Sequence, residues 1–253
     1  MASALEISDY LDSLLQISQF KDDSQNGLQV DAASKKVSTV AVAVDSGLSI
    51  IEKAIKLKAQ ILIVHHGMFW NSPFSLRGIE GEKVRKLIEN GCSLYGAHLP
   101  LDSHLKFGNA ALLAKFLGLS DIEPFFEYHG KSIGVRTSSK QPLKLQDIVE
   151  KCKKMSGAIE PLVLPFGRKD IKNIGIVTGS GSVALEECKK LGLDLLVSGE
   201  SKQSAYHLAK ELQINAVFAG HYATETFGVI ALGKELERKF KLKSIFIDEP
   251  TGI

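Results

Sequence analysis

Cysteine is scarce in this chain: three in 253 residues, an odd number. Cys92, Cys152 and Cys188 lie far apart, and no two have C-x-x-C spacing. A disulfide framework and a thiolate zinc site are both excluded, and a reduced, cytoplasmic protein is expected. No stretch approaches the roughly 18 apolar residues of a membrane helix. The acidic, amphipathic N-terminus lacks the basic start and apolar run of a signal peptide. Charge of one sign is missing too. With 31 basic and 29 acidic side chains the net charge is +2, which argues against the basic footprint of a nucleic-acid binder.

What is present is an ordinary globular composition, 44% hydrophobic and 24% charged, enough to build a core without staples. Strand-like and helix-like segments alternate, which predicts an α/β fold. Helices are expected over 9–19, 49–58, 81–89, 109–117, 145–155, 182–191, 201–212 and 224–240. Strands are expected over 37–44, 60–64, 93–97, 128–137, 173–177, 194–197, 216–219 and 243–247. Ser138 to Pro142 reads as a turn. The stretch 157–167, with its prolines and glycines, shows no clear period.

Ile61-Leu62-Ile63-Val64 reads as a buried strand, and His65-His66-Gly67 stands where it should end. Carboxyl ends of strands in open α/β sheets are where ligands bind, and two imidazoles there suit a metal ion or general-base chemistry. On these residues alone, two half-exposed histidines are an equal alternative.

An internal repeat shifts that balance. At an offset of 134, Val44-Asp45-Ser46-Gly47 aligns with Thr178-Gly179-Ser180-Gly181, and His65-His66 with Gly199-Glu200. At an offset of 123, Tyr95-Gly96-Ala97-His98 aligns with Phe218-Ala219-Gly220-His221. A carboxylate follows four residues after each histidine, Asp102 and Glu225. Two repeat units, 1–126 and 127–253, are expected, with the C-terminal segment free to pack on the first; they are related by a pseudo-two-fold axis and share a cleft lined by His65, His66, His98, Asp102, His221 and Glu225. Such N/O donors suit Zn, Fe, Mn, Co or Ni. Two ions bridged by a carboxylate and a hydroxide would use them economically.

These residues carry a family resemblance. Asn26-Gly27-Leu28-Gln29, Val64-His65-His66-Gly67 with Phe69-Trp70, Ala97-His98-Leu99-Pro100-Leu101-Asp102, Gly108-Asn109 and Gly220-His221-Tyr222-Ala223-Thr224-Glu225 resemble the motifs of the Nif-three-like dinuclear-metal proteins. That family is widely labelled "GTP cyclohydrolase 1 type 2 homologue". The resemblance spans essentially the whole chain, in the short form without an inserted domain. It implies two intertwined α/β units and a homohexameric ring built from trimers. It also implies two divalent ions per subunit (Zn, Fe or Mn) held by His65, His66, Asp102, His221 and Glu225, with Glu225 bridging. His98 is expected to act nearby as a proton shuttle or to serve a structural role. The family's Trp-Asp pair before Asn26 is replaced by Lys21-Asp22-Asp23-Ser24-Gln25, and Asn71-Ser72-Pro73 also departs from its pattern.

The implied function is metal-dependent hydrolysis by a bridging hydroxide, of the GTP cyclohydrolase type, on a small-molecule, possibly nucleotide, substrate. The alternative is a non-catalytic metal-binding or partner-regulating assembly. Four further readings stay open on the residues. The Thr178 to Ser182 loop either binds phosphate through its N–H groups or is a plain glycine turn. Glu200 either lines the cleft or starts a helix. Asp45 is placed to orient a metal-binding histidine. Phe69-Trp70 either stacks on a planar ligand or packs a loop. His129, His207, the 151–154 cluster and the 239–243 cluster read as surface.

Overall fold

A computed structural model describes residues 2–253. The chain runs through α1 (Ala4–Leu15), β1 (Gly27–Val30), β2 (Thr39–Asp45), α2 (Leu48–Lys56), β3 (Ile61–His66), α3 (Gly78–Glu89), β4 (Ser93–Gly96), α4 (Leu99–Asp102), α5 (Asn109–Phe116), β5 (Glu123–Tyr128) and β6 (Lys131–Leu143). It continues through α6 (Leu145–Cys152), β7 (Leu162–Pro165), β8 (Ile171–Val177), α7 (Leu185–Lys190), β9 (Leu195–Ser198), α8 (Gln203–Leu212), β10 (Asn215–Phe218), α9 (His221–Phe240) and β11 (Lys243–Phe246). Among the described residues, no helix is long and apolar enough to cross a membrane.

Packing divides the chain into two compact units. The first runs to Leu101 and resumes over Gly228–Glu249; the second comprises Asp102–Phe227 with Pro250–Ile253. These units differ from a division at 126/127, which follows the order of repeated motifs rather than packing.

The first unit is built on a sheet of order β1-β4-β3-β2-β11. β4, β3, β2 and β11 are parallel, and β1 is an antiparallel edge on β4. Ile61, Leu62, Ile63 and Val64 are all fully buried. That explains their unbroken apolar run, since a central parallel strand is covered on both faces. Leu62 and Val64 pack with Ile51 and Ala54 of α2 and Leu87 of α3. Helix α1 starts earlier than its apolar period suggests. Ser3 caps it by accepting from the Glu6 N–H at 3.2 Å, and the Glu6 carboxylate accepts from the Ser3 N–H at 2.7 Å, a reciprocal cap that closes the first turn.

The second unit carries a sheet of order β5-β6-β8-β9-β10-β7. β8, β9 and β10 are parallel, while β7 and β6 are antiparallel to their neighbours. The order β7-β10-β9-β8 therefore repeats the order β1-β4-β3-β2 of the first sheet. One face packs α5 and α6 through Leu113, Ile148 and Val149, and the other packs α7 and α8 through Leu185, Ala205 and Ala209.

Five strands depart from the sequence-based expectation. β1, β5 and β7 are short edge strands, and β7 is closed by Pro165, which an edge tolerates because its N–H need not join the ladder. Ser138 to Pro142 is not a chain reversal. It lies inside β6, where Ser138 pairs with Asn173 and Leu143 with Ile171, so the polar stretch is an irregularity in one long strand. His65 and His66 are the last two residues of β3 rather than residues beyond it.

Candidate metal-binding residues

In the first unit, three histidines converge at the carboxyl ends of β3 and β4. His65, His66 and His98 each offer a ligand atom, and these atoms lie within 4.8 Å of one another. Their ring centroids are 4.8 Å (65–66), 5.2 Å (65–98) and 5.8 Å (66–98) apart. His65 is completely buried, with Nδ1 2.8 Å from the Ala97 carbonyl oxygen. A carbonyl only accepts, so Nδ1 carries the hydrogen and Nε2 carries the lone pair. His66 Nδ1 lies 2.8 Å from Asp45 Oδ1, because the parallel register sets Asp45 at the end of β2 beside His66 at the end of β3. Asp45 thus stands where its sequence position suggested.

His98 is anchored twice. Its backbone N–H donates to Asn26 Oδ1 at 2.7 Å, and its Nδ1 lies 3.0 and 3.1 Å from the two oxygens of Asp22. The Asp22 carboxylate also accepts from the Leu99 N–H at 3.0 Å, the Ser24 N–H at 3.1 Å and Asn26 Nδ2 at 2.8 Å. Burial pushes its pKa up, but the hydrogen bond and charge of His98, with Asn26 and the Ser24 N–H, outweigh that and bring it down to about 2.

Gln29 sits beneath the histidine pair. It accepts from the Met68 N–H at 2.8 Å and donates to the Gln25 carbonyl at 2.6 Å. A Cβ on Gly67 or Gly96 would come within 2.1 or 2.7 Å of its amide, so a side chain at either position would displace Gln29 from this place. Trp70 donates its indole N–H to the Gly67 carbonyl at 3.0 Å, with its ring 5.1 Å from His98 and 6.4 Å from His66. Phe69 instead stacks on Phe74 and packs against the core, so only one of the two aromatics stands beside the histidines.

In the second unit, Asp102, His221 and Glu225 gather around the residues after β8. Asp102 is buried and accepts from Asn109 Nδ2 at 2.8 Å and the Thr178 hydroxyl at 3.4 Å. Helix α9 begins at His221, so His221 and Glu225 are one turn apart, with Nε2 3.1 Å from Glu225 Oε2. His221 Nδ1 lies 3.3 Å from Glu200 Oε2. The Ser180 hydroxyl also donates to Glu200. That bond lowers the Glu200 pKa, as does the nearby His221, against an opposing effect of burial.

One open reading is decided here. Glu200 is not a helix start, since α8 begins at Gln203; it lies beside His221. In the 178–182 loop two N–H groups are tied up within the protein. The Gly179 N–H donates to Thr224 Oγ1 at 3.2 Å and the Gly181 N–H to Ser198 Oγ at 3.1 Å, so both are already committed. Gly179 has φ +60°, and a Cβ there would lie 2.2 Å from Glu225 Oε1 and 3.0 Å from His221 Nε2. The sequence did not mark Asp22 as functional. Its partner His98 is 76 residues away, and no local pattern signals such a pair.

The donor chemistry fits a divalent metal. Histidines present Nε2 while Nδ1 is tied to an oxygen acceptor, the arrangement that fixes the tautomer and ring angle of metal-binding imidazoles. The histidine and glutamate cluster can therefore hold metal.

Comparison with known proteins agrees over the full length. The profile of the family Duf34/NIF3 (NGG1p interacting factor 3) matches residues 2–252. A protein of Pyrococcus horikoshii named GTP cyclohydrolase 1 type 2 homolog is 42% identical over 248 residues, covering 98% of each chain. The crystal structure of TTHA1606 from Thermus thermophilus aligns with TM-score 0.90 at 41% identity, covering 99% of this chain and 100% of that one. The structure of protein ybgI aligns with TM-score 0.92 at 28% identity, covering 99% and 100%. The chain belongs to the Duf34/NIF3 family.

Proposed function

We propose that the protein is a metal-dependent hydrolase of a small nucleotide-type substrate, and that His65, His66, Asp102, His221 and Glu225 would hold its two divalent ions. One observation carries this reading. Each of the three proposed ligand histidines has Nδ1 on its own acceptor: His65 on Ala97 O, His66 on Asp45 and His221 on Glu200. Surface histidines have no need of such anchoring. The repeated strand order in the two sheets supports reading 1–126 and 127–253 as duplicated halves.

When bound, divalent ions would supply Lewis acidity and acidify a water. The chain's own residues do the rest. Asp45 and Glu200 restrain the imidazoles, Asn109 and Thr178 orient Asp102, and Gly179 leaves room for Glu225. Trp70 offers a flat surface beside the histidines, suited to a heterocyclic ring. The name carried by the Pyrococcus horikoshii relative favours a purine nucleotide as that ring's source.

The test is elemental analysis of purified protein, then a nucleotide and phosphoester screen with each ion restored. Wild type is expected to hold close to two ions per chain and turn over a nucleotide in proportion to metal. Asp102→Ala and Glu225→Ala are expected to lose both. Turnover surviving in metal-free variants, or no bound metal in wild type, would refute the proposal. Metal without any turnover would favour the non-catalytic assembly. Sedimentation in the same samples tests the homohexamer.

A further inference from the structure

Asp22 stands outside every ligand set considered so far, yet it is among the most completely satisfied carboxylates in the first unit. Its side chain is 3% exposed, against 20% for His98. It gathers donors from Ser24 N, Asn26 Nδ2, Leu99 N and His98 Nδ1. A tie between the segment before β1 and the segment after β4 could be made by neutral groups. Burying a charge to make it is costly unless the charge does something a neutral group cannot.

That something is the choice of tautomer. A carboxylate only accepts, so the nitrogen facing it must carry hydrogen. We propose that Asp22 is a positioning residue that locks His98 as the Nδ1–H tautomer, so that the other nitrogen, Nε2, of this imidazole, whose ring offers one nitrogen within 4.8 Å of those of His65 and His66, accepts a hydrogen bond from the protic substrate or solvent group bound beside them. His98 is thus a hydrogen-bond acceptor at the site rather than a metal ligand. The Asn26 amide supports the same geometry from both ends, donating to Asp22 and accepting from the His98 backbone N–H. Asn26 and Asp22 together fix the ring's position and its hydrogen.

The inference rests on the metal-centre reading for its purpose, but its first test needs no metal. Long-range proton–nitrogen correlation spectra of metal-free, imidazole-labelled full-length protein above pH 8 report the tautomer of each histidine. His98 is expected wholly as Nδ1–H in wild type and in Asp22→Glu. In Asp22→Asn, whose amide can itself donate to Nδ1, the Nε2–H form is expected to rise to a substantial share. A dominant Nε2–H form in wild type, or an unchanged spectrum in Asp22→Asn, would overturn the proposal.

The second test separates acceptor from ligand by titration with zinc ion. His98→Gln is expected to bind zinc within about threefold of wild type, while His65→Gln loses at least tenfold. An equal loss in both would make His98 a ligand and overturn the assignment. Zinc failing to bind wild type would refute the metal centre itself while leaving the tautomer result standing.

Discussion

Replacing Gly179 by alanine separates backbone strain from damage to the proposed metal ligands. Gly179 sits at φ +60°, where an L side chain costs about 1–2 kcal/mol. Its added Cβ would also lie 2.2 Å from Glu225 Oε1 and 3.0 Å from His221 Nε2. Glu225 is 3% exposed, so its carboxylate has little open space to retreat into, and either it or the loop must move. Gly192 is the matched control in the same unit, at φ +67° with nothing within 4 Å of its built Cβ. Both alanine variants carry the left-handed penalty, so each should lower Tm by roughly 2–8 °C. Only Gly179→Ala should weaken divalent-metal binding, by at least tenfold, or ~1.4 kcal/mol. Thermal denaturation of the metal-free proteins gives the first quantity, and titration with zinc or manganese gives the second. A folded Gly179→Ala protein that binds metal as tightly as Gly192→Ala would refute the assignment of Glu225 and His221 as ligands.

Two further predictions concern buried groups. Burial holds the Cys92 and Cys152 thiols at about 12 and pushes Cys188 higher still. Native protein at pH 8 should therefore show essentially no reaction with a thiol-specific disulfide reagent, and all three cysteines should react on unfolding; a fast-reacting thiol in folded protein would contradict the packing. The Asp22 carboxyl at about 2, against an ordinary 3.8, is a depressed acid. Its stabilisation of about 2 kcal/mol is complete above pH ~4 and is lost as pH falls through about 2. Asp22→Asn should be less stable at neutral pH and decline more shallowly between pH 4 and 2 in urea denaturation, and parallel declines would refute the charge-based account.

The α/β alternation was legible because buried strands and amphipathic helices write their periods locally. Ile61 to Val64 and the helices before and after them follow from side-chain spacing alone. The short edges were not legible. β1, β5 and β7 each have a single neighbour, β1 is only four residues long, β5 is mostly exposed, β7 is exposed at both ends, and the proline-bounded Leu162–Pro165 shows no pattern until β10 pairs with it. Ser138 to Pro142 has turn composition, yet the ladder to β8 on either side carries the chain through as one strand.

The candidate residues divide in the same way. Adjacent histidines at a strand end, and the His-x-x-x-carboxylate spacing at 98/102 and 221/225, are properties of the chain as written. Spacing of four on the first turn of α9 is enough to bring His221 and Glu225 within 3.1 Å. Which nitrogen of each imidazole is held, and by what, was decided by tertiary structure alone. Asp22 reaches His98 across 76 residues and Asp45 reaches His66 across 21, because neighbouring strands and the segments at their ends bring those groups together. A hydrogen bond between distant segments leaves no period in the sequence, so the donors of this protein could be read from its residues, but their orientation required the fold.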